Sequence, residues 1–373
     1  MEIALSGLPF CATHTTGIER YAKDMVRALL AEGCVIHLYL PYTKKLAQQL
    51  GLMKNLPPQA KIYFSKRNYK GKLQHIFWEQ FVLPFCLKKL PNALFWGPGN
   101  RLPFFLPKSM KAVLTVHDLA WRMVPKTMPF KARLAAALFF SPSLKRADCV
   151  CAISKATQKD LIRLHPGTVP KTRVVYNGCS PLPANSTSSV LKKYQITQPF
   201  ILNVGLIEPR KNQKRLLQAF TALPNNIRSH HQLVFVGRHG WGEDTKTLAL
   251  TLGLEDQIKI LPDIADQDLG FLYQQCLFLA MPSLYEGFGL PIIEAMHHGK
   301  PVLTSNTSAM PEIAGSAGLL VDPYNTESIR KGLLELTKNK ALFLKLAAAS
   351  KAQAKKFTWK KTAQEFKQLT QSL

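Results

Sequence analysis

Apolar residues along the chain alternate between short continuous runs and stretches with helical spacing. A short apolar run is typical of a strand buried in a parallel sheet, whereas apolar residues three and four positions apart predict a helix. The first strand is predicted at Ile3–Leu5, and a helix with apolar positions between Ile18 and Leu29 follows it. This order recurs to the end of the chain, which predicts an α/β fold with parallel sheets.

A segment rich in proline and serine interrupts this alternation near the middle of the chain. It extends over residues 179–198 and contains Pro181 and Pro183, and the strand pattern resumes at Phe200. Such a composition favours a linker. Since 373 residues suffice for two domains of ordinary size, we predict an N-terminal domain over residues 1–182 and a C-terminal domain over residues 183–356.

The overall composition is that of a globular protein, with 46% hydrophobic and 19% charged residues. The seven cysteines are scattered and show no C-x-x-C spacing, so they predict neither a zinc site nor a redox motif. The N-terminus lacks a basic region before a long apolar one, and no apolar run approaches the ~20 residues that span a bilayer. We therefore expect a cytoplasmic protein.

The net charge of +26 is concentrated in the first half of the chain. Residues 1–180 contribute +19 and the remaining residues +7. On charge alone, the partner could be nucleic acid, an anionic membrane surface or a phosphate-bearing substrate. The densest basic segment extends from Lys61 to Lys72 and includes Tyr63, Phe64 and Tyr69. A solvated loop without a partner is the alternative for this segment.

The segment from residue 281 to residue 299 combines a strand end, a glycine-bearing loop and a helix start. Gly287 and Gly289 let the backbone approach a ligand closely, and the free amides of such a loop bind phosphate and sugar oxygens. Glu286 lies in the loop and Glu294 about one turn into the helix, so both carboxylates can face one crevice. Taken singly, each has a simpler explanation as a solvated charge or a partner of the helix dipole.

Two further positions place polar side chains at the carboxyl ends of predicted strands, where open parallel sheets bind ligands. His117 directly follows the strand Ala112–Val116. Arg210 and Lys211 follow the strand Phe200–Val204, at a corner before a helix. Arginine can bind two phosphate oxygens at once, and lysine supplies a point charge. A structural histidine and a pair of surface charges are the alternatives.

The sequence segments around His117, Lys211, Glu286 and Glu294 resemble motifs of the retaining glycosyltransferases of family 4. Glu286 to Leu290 with Glu294 resembles the E-x7-E motif of that family, and residues 115–119 resemble its histidine motif. Residues 207–212 resemble its diphosphate-binding phrase, and the resemblance covers nearly the whole chain. It implies the GT-B fold, with two Rossmann-like doubly wound parallel-sheet domains and an interdomain cleft. It also implies that the last helix, over residues 357–373, joins the first domain.

The resemblance implies a role for each matching residue. His117 and Glu286 would be catalytic and would contact the donor sugar, and Glu294 would hold the ribose. The donor sugar would also contact Gly287 and Phe288. The diphosphate would be bound by the arginine and lysine pair and by backbone amides, at Arg210, Lys211, Gly17, Gly289 and Leu290. Many relatives carry an arginine directly after the glycine of the diphosphate phrase, where this chain has Leu206.

No metal ion and no other cofactor is expected. The charge that grows on a departing nucleoside diphosphate would be stabilised by Arg210, Lys211 and backbone amides. The sequence does contain Asp266-Gln267-Asp268, which matches a metal-binding D-x-D pattern of another glycosyltransferase architecture. Because an apolar helix follows, Asp266 or Asp268 is expected to be its N-cap instead.

The resemblance implies transfer of a hexosyl group, with its anomeric configuration retained, from a nucleotide sugar to a glycan or lipid-linked glycan. A mannosyl group, GDP-mannose and a lipopolysaccharide or other surface glycan are favoured. The alternatives are a glucosyl or rhamnosyl group from a UDP- or dTDP-sugar, a sugar-nucleotide epimerase and a basic nucleic-acid-binding protein. Nucleic acid is not the expected partner. We expect peripheral attachment to the inner face of an anionic cytoplasmic membrane through the basic segment Lys61–Lys72.

Overall fold

The structure, a computed structural model, describes residues 1–12, 16–184, 189–242, 244–371 and 373. The chain forms two compact units. The first consists of Met1–Leu119, Lys131–Gly178 and Thr358–Leu373, and the second of Ala120–Phe130 and Cys179–Phe357. The domain limits expected from the sequence stay a prediction.

Each unit contains one sheet, and every strand pairing in both sheets is parallel. Within the described residues the strands are β1 (Glu2–Ser6), β2 (Val35–Leu40), β3 (Lys61–Phe64), β4 (Leu94–Gly97), β5 (Ala112–Val116), β6 (Cys149–Ala152), β7 (Thr172–Val174), β8 (Phe200–Val204), β9 (Gln232–Val236), β10 (Ile258–Leu261), β11 (Leu279–Met281), β12 (Val302–Ser305) and β13 (Gly318–Val321).

Helices connect successive strands. In chain order they are α1 (Leu8–Cys11), α2 (Gly17–Ala31), α3 (Lys44–Gln49), α4 (Gly71–Phe77), α5 (Leu83–Leu87), α6 (Ala120–Met123), α7 (Phe130–Arg146), α8 (Lys155–Leu164), α9 (Ser189–Lys193), α10 (Gln213–Thr221), α11 (Asn225–Arg228), α12 (Thr245–Thr251), α13 (Asp266–Gln275), α14 (Leu290–His297), α15 (Met310–Ala314), α16 (Thr326–Lys338), α17 (Lys340–Ala354) and α18 (Trp359–Gln371). Short 3-10 helices cover Leu52–Asn55, Pro125–Thr127, Pro166–Lys171, Pro209–Lys211 and Gly315–Ala317, and a π-helical turn covers Trp78–Val82. Among these described helices, none combines the length and the apolar character needed to cross a bilayer.

The strand order shows that both sheets are doubly wound. The first sheet has the order β3-β2-β1-β4-β5-β6-β7 and the second the order β10-β9-β8-β11-β12-β13. Each sheet therefore grows outward in both directions from its first strand, and the order reverses between β1 and β4 and between β8 and β11. The predicted α/β fold with two Rossmann-like parallel sheets is confirmed. Ligands of such sheets bind beyond the carboxyl ends of the strands at the reversal.

The C-terminal helix α18 is part of the first unit. Its Ala363 and Phe366 are fully buried in the core of the first sheet, and the Phe366 ring lies 5.5 Å from that of Trp96. The Thr362 hydroxyl donates a hydrogen bond of 2.8 Å to a backbone carbonyl in the segment after β7. The helix therefore completes the hydrophobic core of this unit.

The expected N-cap role of Asp266 or Asp268 is wrong. Helix α13 begins at Asp266, its N-cap is Ala265, and no side chain caps it. Asp268 is buried in the first turn and accepts hydrogen bonds from Lys193 Nζ at 2.8 Å and from the Tyr194 hydroxyl at 2.7 Å. Both donors are distant in the sequence, so the local sequence around Asp268 cannot predict that its carboxylate binds them and not the helix N-terminus.

Candidate functional site

The basic pair Arg210 and Lys211 follows strand β8, next to the reversal point of the second sheet. The two residues lie in the 3-10 helix Pro209–Lys211, which ends at Asn212 in a left-handed conformation with φ of 63°. The buried Asn212 side chain donates hydrogen bonds of 2.8 Å to the carbonyls of Pro282 and Pro323. These bonds hold the corner after β8 against the loop after β11.

Glu286 lies in that loop after β11, and its carboxylate contacts both cations. Arg210 Nη1 donates to Glu286 Oε2 at 2.8 Å, and Lys211 Nζ donates to Glu286 Oε1 at 2.6 Å. Burial on its own would raise the pKa of this carboxyl, but the two neighbouring cations lower it to about 2. Glu286 is therefore an ionised hydrogen-bond acceptor at neutral pH. The fold thus brings together three of the residues that the sequence patterns single out.

Glu208 is a second carboxylate in this cluster. Arg210 Nη2 donates to Glu208 Oε1 at 2.7 Å, so the guanidinium group bridges Glu208 and Glu286. Burial raises the pKa of Glu208 from its usual value. Arg210 and Lys211, which were expected to supply positive charge for a diphosphate, are consequently paired with two carboxylates. The sequence patterns did not indicate this role, although Glu208 lies within residues 207–212, the segment that resembles the diphosphate-binding motif.

Gly205, directly after β8, lets the lysine side chain lie across the backbone. Its φ is 141°, a conformation that side chains other than glycine rarely adopt, and a Cβ atom there would lie 3.3 Å from Lys211 Cε. The residue after it, Leu206, is exposed. Where the sequence pattern of relatives favours an arginine, this chain therefore presents an exposed apolar side chain. That Arg210 replaces this arginine stays a prediction.

Ser308 supports the backbone of Glu286 from the loop after β12. Its hydroxyl accepts a hydrogen bond of 3.2 Å from the Glu286 amide and donates one to the Glu286 carbonyl. Ser308 adopts a left-handed conformation with φ of 57°. Sequence reasoning treated this residue only as part of a loop, and no pattern identifies a serine that will adopt such a conformation.

The glycine loop leads into helix α14 as predicted. Gly289 has a φ of 98° and is the N-cap residue, and α14 begins at Leu290 with Pro291 in its first turn. The Phe288 ring is buried and packs edge-on against Phe357 at 5.5 Å between ring centroids. Phe288 could therefore contact a donor sugar only through its backbone. The same holds for Gly287, which has no side chain.

Glu294 lies in helix α14 and is buried. The Tyr273 hydroxyl donates a hydrogen bond of 2.7 Å to Glu294 Oε2. The Tyr273 ring, in turn, stacks on His298 with 6.0 Å between ring centroids. Tyr273 thus fixes the carboxylate of Glu294, and sequence reasoning missed this because the tyrosine occurs in an otherwise ordinary apolar helix.

His117 lies at the carboxyl end of β5 in the first unit. Its Nε2 atom lies 2.6 Å from the carbonyl oxygen of Pro98, and its backbone amide donates to Asn100 Oδ1 at 2.7 Å. Burial lowers the pKa of the imidazole, which favours the neutral ring. Because a carbonyl only accepts, Nε2 carries the proton and Nδ1 of the neutral ring is an acceptor. This is the chemistry needed to bind a hydroxyl group.

Gly17 is the first residue of α2, also in the first unit. Thr16 is the N-cap of this helix and forms a reciprocal capping pair with Glu19. Gly17 is exposed, and among the described residues no atom other than those of its chain neighbours and its own helix lies within 4 Å of the position that a Cβ would occupy. Two residues of the predicted loop, His14 and Thr15, lie outside the described residues. The diphosphate-binding role expected for Gly17 stays a prediction.

Within the part of the chain that the structure describes, no three histidine, cysteine, aspartate or glutamate side chains are close enough to hold a metal ion. The expected metal independence stays a prediction.

Two family models together match almost all of the chain. "Glycosyltransferase Family 4" matches residues 15–181, and "Glycosyl transferases group 1" matches residues 190–357. O-antigen chain mannosyltransferase B of Escherichia coli is 31% identical over 364 residues, which is 92% of this chain and 93% of that protein. Together the two family models include all of the candidate site residues.

Solved structures share the fold at lower identity. WaaG, a glycosyltransferase involved in lipopolysaccharide biosynthesis, is 17% identical with a TM-score of 0.73 over 98% of each chain. HepE of Anabaena, solved in complex with UDP and glucose, is 20% identical with a TM-score of 0.73 over the full length of both chains. These likenesses concern the architecture alone.

Proposed function

This chain belongs to the family 4 glycosyltransferases, and from this premise we propose that it transfers a mannosyl group from GDP-mannose to a lipopolysaccharide or other surface-glycan acceptor. The choice of mannose rests on the similarity to O-antigen chain mannosyltransferase B. The observation that carries the site assignment is the cluster of Arg210, Lys211 and Glu286 at the reversal point of the second sheet. A glucosyl or rhamnosyl group from a UDP- or dTDP-sugar is the alternative.

The cluster supports binding of the donor diphosphate and sugar together. Phosphate oxygens would accept hydrogen bonds from Arg210 and Lys211 and from the amides at Gly289 and Leu290. Glu286 would accept hydrogen bonds from sugar hydroxyls, since its low pKa keeps the carboxylate ionised. As the bond to the sugar breaks, charge grows on the diphosphate and the same cations stabilise it.

Glu294 would hold the ribose of the donor. Ribose hydroxyls can donate hydrogen bonds to the oxygens of a carboxyl group, and the hydrogen bond from Tyr273 fixes one oxygen of Glu294 in place. Tyr273 is thus a positioning residue, because it acts through Glu294.

His117 would bind a hydroxyl of the donor sugar through Nδ1. The hydrogen bond between Nε2 and the carbonyl of Pro98 fixes both the orientation of the ring and the position of its proton. A neutral acceptor nitrogen suits a sugar hydroxyl. We propose that the acceptor attacks the same face of the sugar from which the diphosphate leaves, with retention of configuration.

A donor screen tests this proposal. The melting temperature of the protein would be measured with GDP-mannose, UDP-glucose and dTDP-rhamnose, because a ligand that binds the native state stabilises it. GDP-mannose is expected to give the largest rise in melting temperature. In a second assay, the protein should transfer mannose from GDP-mannose to a surface-glycan acceptor, and NMR should show an α-linked product. A larger rise with another donor would replace mannose, and an isomer formed without acceptor would support an epimerase instead.

The acceptor class also favours attachment of the first unit to an anionic membrane. The basic segment Lys61–Lys72 carries five lysine and arginine residues, and each basic residue near such a surface contributes ~1 kcal/mol. A lipid-linked glycan would present its growing end there. Sedimentation with anionic vesicles at rising salt tests this attachment: binding should fall as salt screens the charges, whereas equal binding to neutral vesicles would contradict it.

A further inference from the structure

A stripe of exposed apolar side chains extends along the helical segment Gly71–Leu87 of the first unit. Leu73, Phe77, Phe81 and Phe85 follow one another at intervals of four residues, and their side chains are 82%, 52%, 54% and 68% exposed. Single exposed apolar residues are common on protein surfaces, but a continuous patch usually marks an interaction site. We refer to these four residues and Phe105, which is 60% exposed, as the apolar stripe.

The local backbone keeps the stripe straight. In a regular α-helix, positions four apart drift by ~40° at each step, so four such residues would wind around the helix. Here the π-helical turn Trp78–Val82 separates α4 from α5, and its wider turn counteracts this drift. The opposite face of the segment is buried through Trp78, Leu83 and Leu87. The segment is thus anchored on one face and presents the stripe on the other.

Ring contacts make the stripe continuous. The ring centroids of Phe77 and Phe81 are 5.2 Å apart, and so are those of Phe81 and Phe105. Tyr69 stacks on Phe77 at 6.4 Å. The rings therefore cover one another only in part and leave a shared apolar surface towards solvent.

The segment of chain that carries the stripe is basic. Residues 61–111 contain one acidic residue, Glu79, which is buried and paired with Arg101 at 2.8 Å. The same segment contains ten basic residues: Lys61, Lys66, Arg67, Lys70, Lys72, Lys88, Lys89, Arg101, Lys108 and Lys111. Lys88 Nζ lies 5.5 Å from the ring centroid of Phe85. A helical segment with an exposed apolar face and many lysine and arginine residues is the pattern of a segment that lies in the interface of an anionic bilayer.

We propose that the apolar stripe inserts into the headgroup region of an anionic lipid bilayer and that the surrounding lysines and arginines bind the lipid phosphates. A second copy of this chain fits the surface poorly, since it would bring the same positive charge against it. The proposal rests on the membrane attachment proposed above and deepens it, because it adds insertion of the apolar stripe to the charge of the basic segment.

The aromatic residues of the basic segment are already engaged within the fold. Phe64 packs against the core of the first unit. Tyr63 stacks on Tyr39 with 4.6 Å between ring centroids, and its hydroxyl lies 3.0 Å from His37 Nδ1. The apolar stripe is therefore the part that inserts into the bilayer, and the basic segment Lys61–Lys72 contributes positive charge.

Vesicle sedimentation with a triple variant tests the stripe. Phe77→Ser, Phe81→Ser and Phe85→Ser are combined, and the matched control combines Leu250→Ser, Leu320→Ser and Leu344→Ser, which are exposed residues of the second unit. With phosphatidylcholine–phosphatidylglycerol vesicles, the stripe variant should lose at least about tenfold in partitioning, and the control should stay close to the wild type. Equal losses in both, or no wild-type binding at low salt, would overturn the proposal.

A second measurement does not depend on a loss of binding. Phe81→Trp should show stronger fluorescence quenching by brominated phospholipid than Leu320→Trp, each compared with the wild type. Equal quenching would overturn insertion. A wild-type dimer that the stripe variant converts to a monomer would show that a second copy covers this surface, and would also overturn it. The GDP-mannose thermal shift should be unchanged in the stripe variant, which separates this test from that of the donor site.

Discussion

Glu286 is the residue on which the charge of the candidate site depends. Its carboxylate accepts from both Arg210 and Lys211, and it lies next to Glu208 across the guanidinium group. Two cations and two carboxylates thus balance one another before a ligand arrives. A phosphate-bearing donor would add negative charge to this cluster, so the hydrogen-bond geometry, and not net charge alone, has to select it.

The low pKa of Glu286 predicts how stability depends on pH. The folded pKa of about 2 lies below the usual value of 4.5, so ionised Glu286 stabilises the fold above the higher pKa, and this contribution is lost as pH falls towards the lower one. Thermal denaturation of Glu286→Gln should therefore change less than that of the wild type between these two pH values. Parallel curves for the two proteins would show that the ion pairs do not stabilise the fold.

The hydrogen bond from Tyr273 to Glu294 can be tested by removal of one hydroxyl. Tyr273→Phe should raise KM for the donor about tenfold, because a hydrogen bond to a charged group is worth ~1.5–3 kcal/mol, while kcat stays similar. Tyr194→Phe is the matched control, since it removes an equally short bond to Asp268. A tenfold rise of KM in Tyr194→Phe, or an unchanged KM in Tyr273→Phe, would contradict the positioning role of Tyr273.

Residues named by sequence motifs and residues that support them differ in how far they could be predicted. Lys211 and Glu286 stand in phrases with a strand before and a helix after, so their place at a sheet edge followed from the pattern. Tyr273, Ser308 and Asn212 act through contacts with residues 21 to 111 positions away in the chain. No local periodicity encodes such contacts.

At the scale of elements, the turn after β8 depends on a glycine. Gly205→Ala should weaken nucleotide binding, since the new methyl group would displace the Lys211 side chain, and should cost ~1–3 kcal/mol of stability because of its φ of 141°. Gly167→Ala is the control, because no described atom beyond its chain neighbours and local helix lies within 4 Å of its Cβ position and its φ is not positive. Chemical denaturation and nucleotide titration measure both effects. Unchanged binding in Gly205→Ala would show that the position of the lysine is not critical.

Helix boundaries followed the sequence where a cap or a glycine marked them. Helix α14 begins after Gly289, and Gly299 with φ of 72° follows its end, as the pattern predicted. The N-cap of α13 was mistaken because Asp268 has partners in Lys193, at the end of α9, and in Tyr194, directly after it. The apolar and basic residues 78–90 left two alternatives open in the sequence, packing within the first domain or contact with a membrane, and the structure shows both a buried face and an exposed face there.

At the scale of the molecule, the order of strands and helices predicted two parallel sheets, and the structure has them. The order of strands within each sheet does not follow from apolar periodicity. It decides the location of the site, because it brings the loops after β8 and β11 next to each other. The likeness to HepE and WaaG shows that the same architecture occurs at 20% identity or less.

Metal independence is a prediction for the whole enzyme. Glycosyl transfer should persist in excess EDTA, because Arg210, Lys211 and backbone amides are proposed to stabilise the leaving diphosphate. Product formation before and after chelation measures this directly. Loss of activity that Mg2+ or Mn2+ restores would contradict the prediction. It would then require ligands other than Asp268, which Lys193 and Tyr194 already engage.

The central claim is that Lys211 and its cluster bind the donor diphosphate, and calorimetric titration of GDP, UDP and dTDP tests it most directly. Lys214→Ala is the matched control, since it removes an exposed lysine of the same corner. At least one nucleotide should bind the wild type, with affinity reduced about tenfold or more in Lys211→Ala and little changed in Lys214→Ala. Equal losses in both variants, or no binding of any of the three nucleotides, would contradict the account.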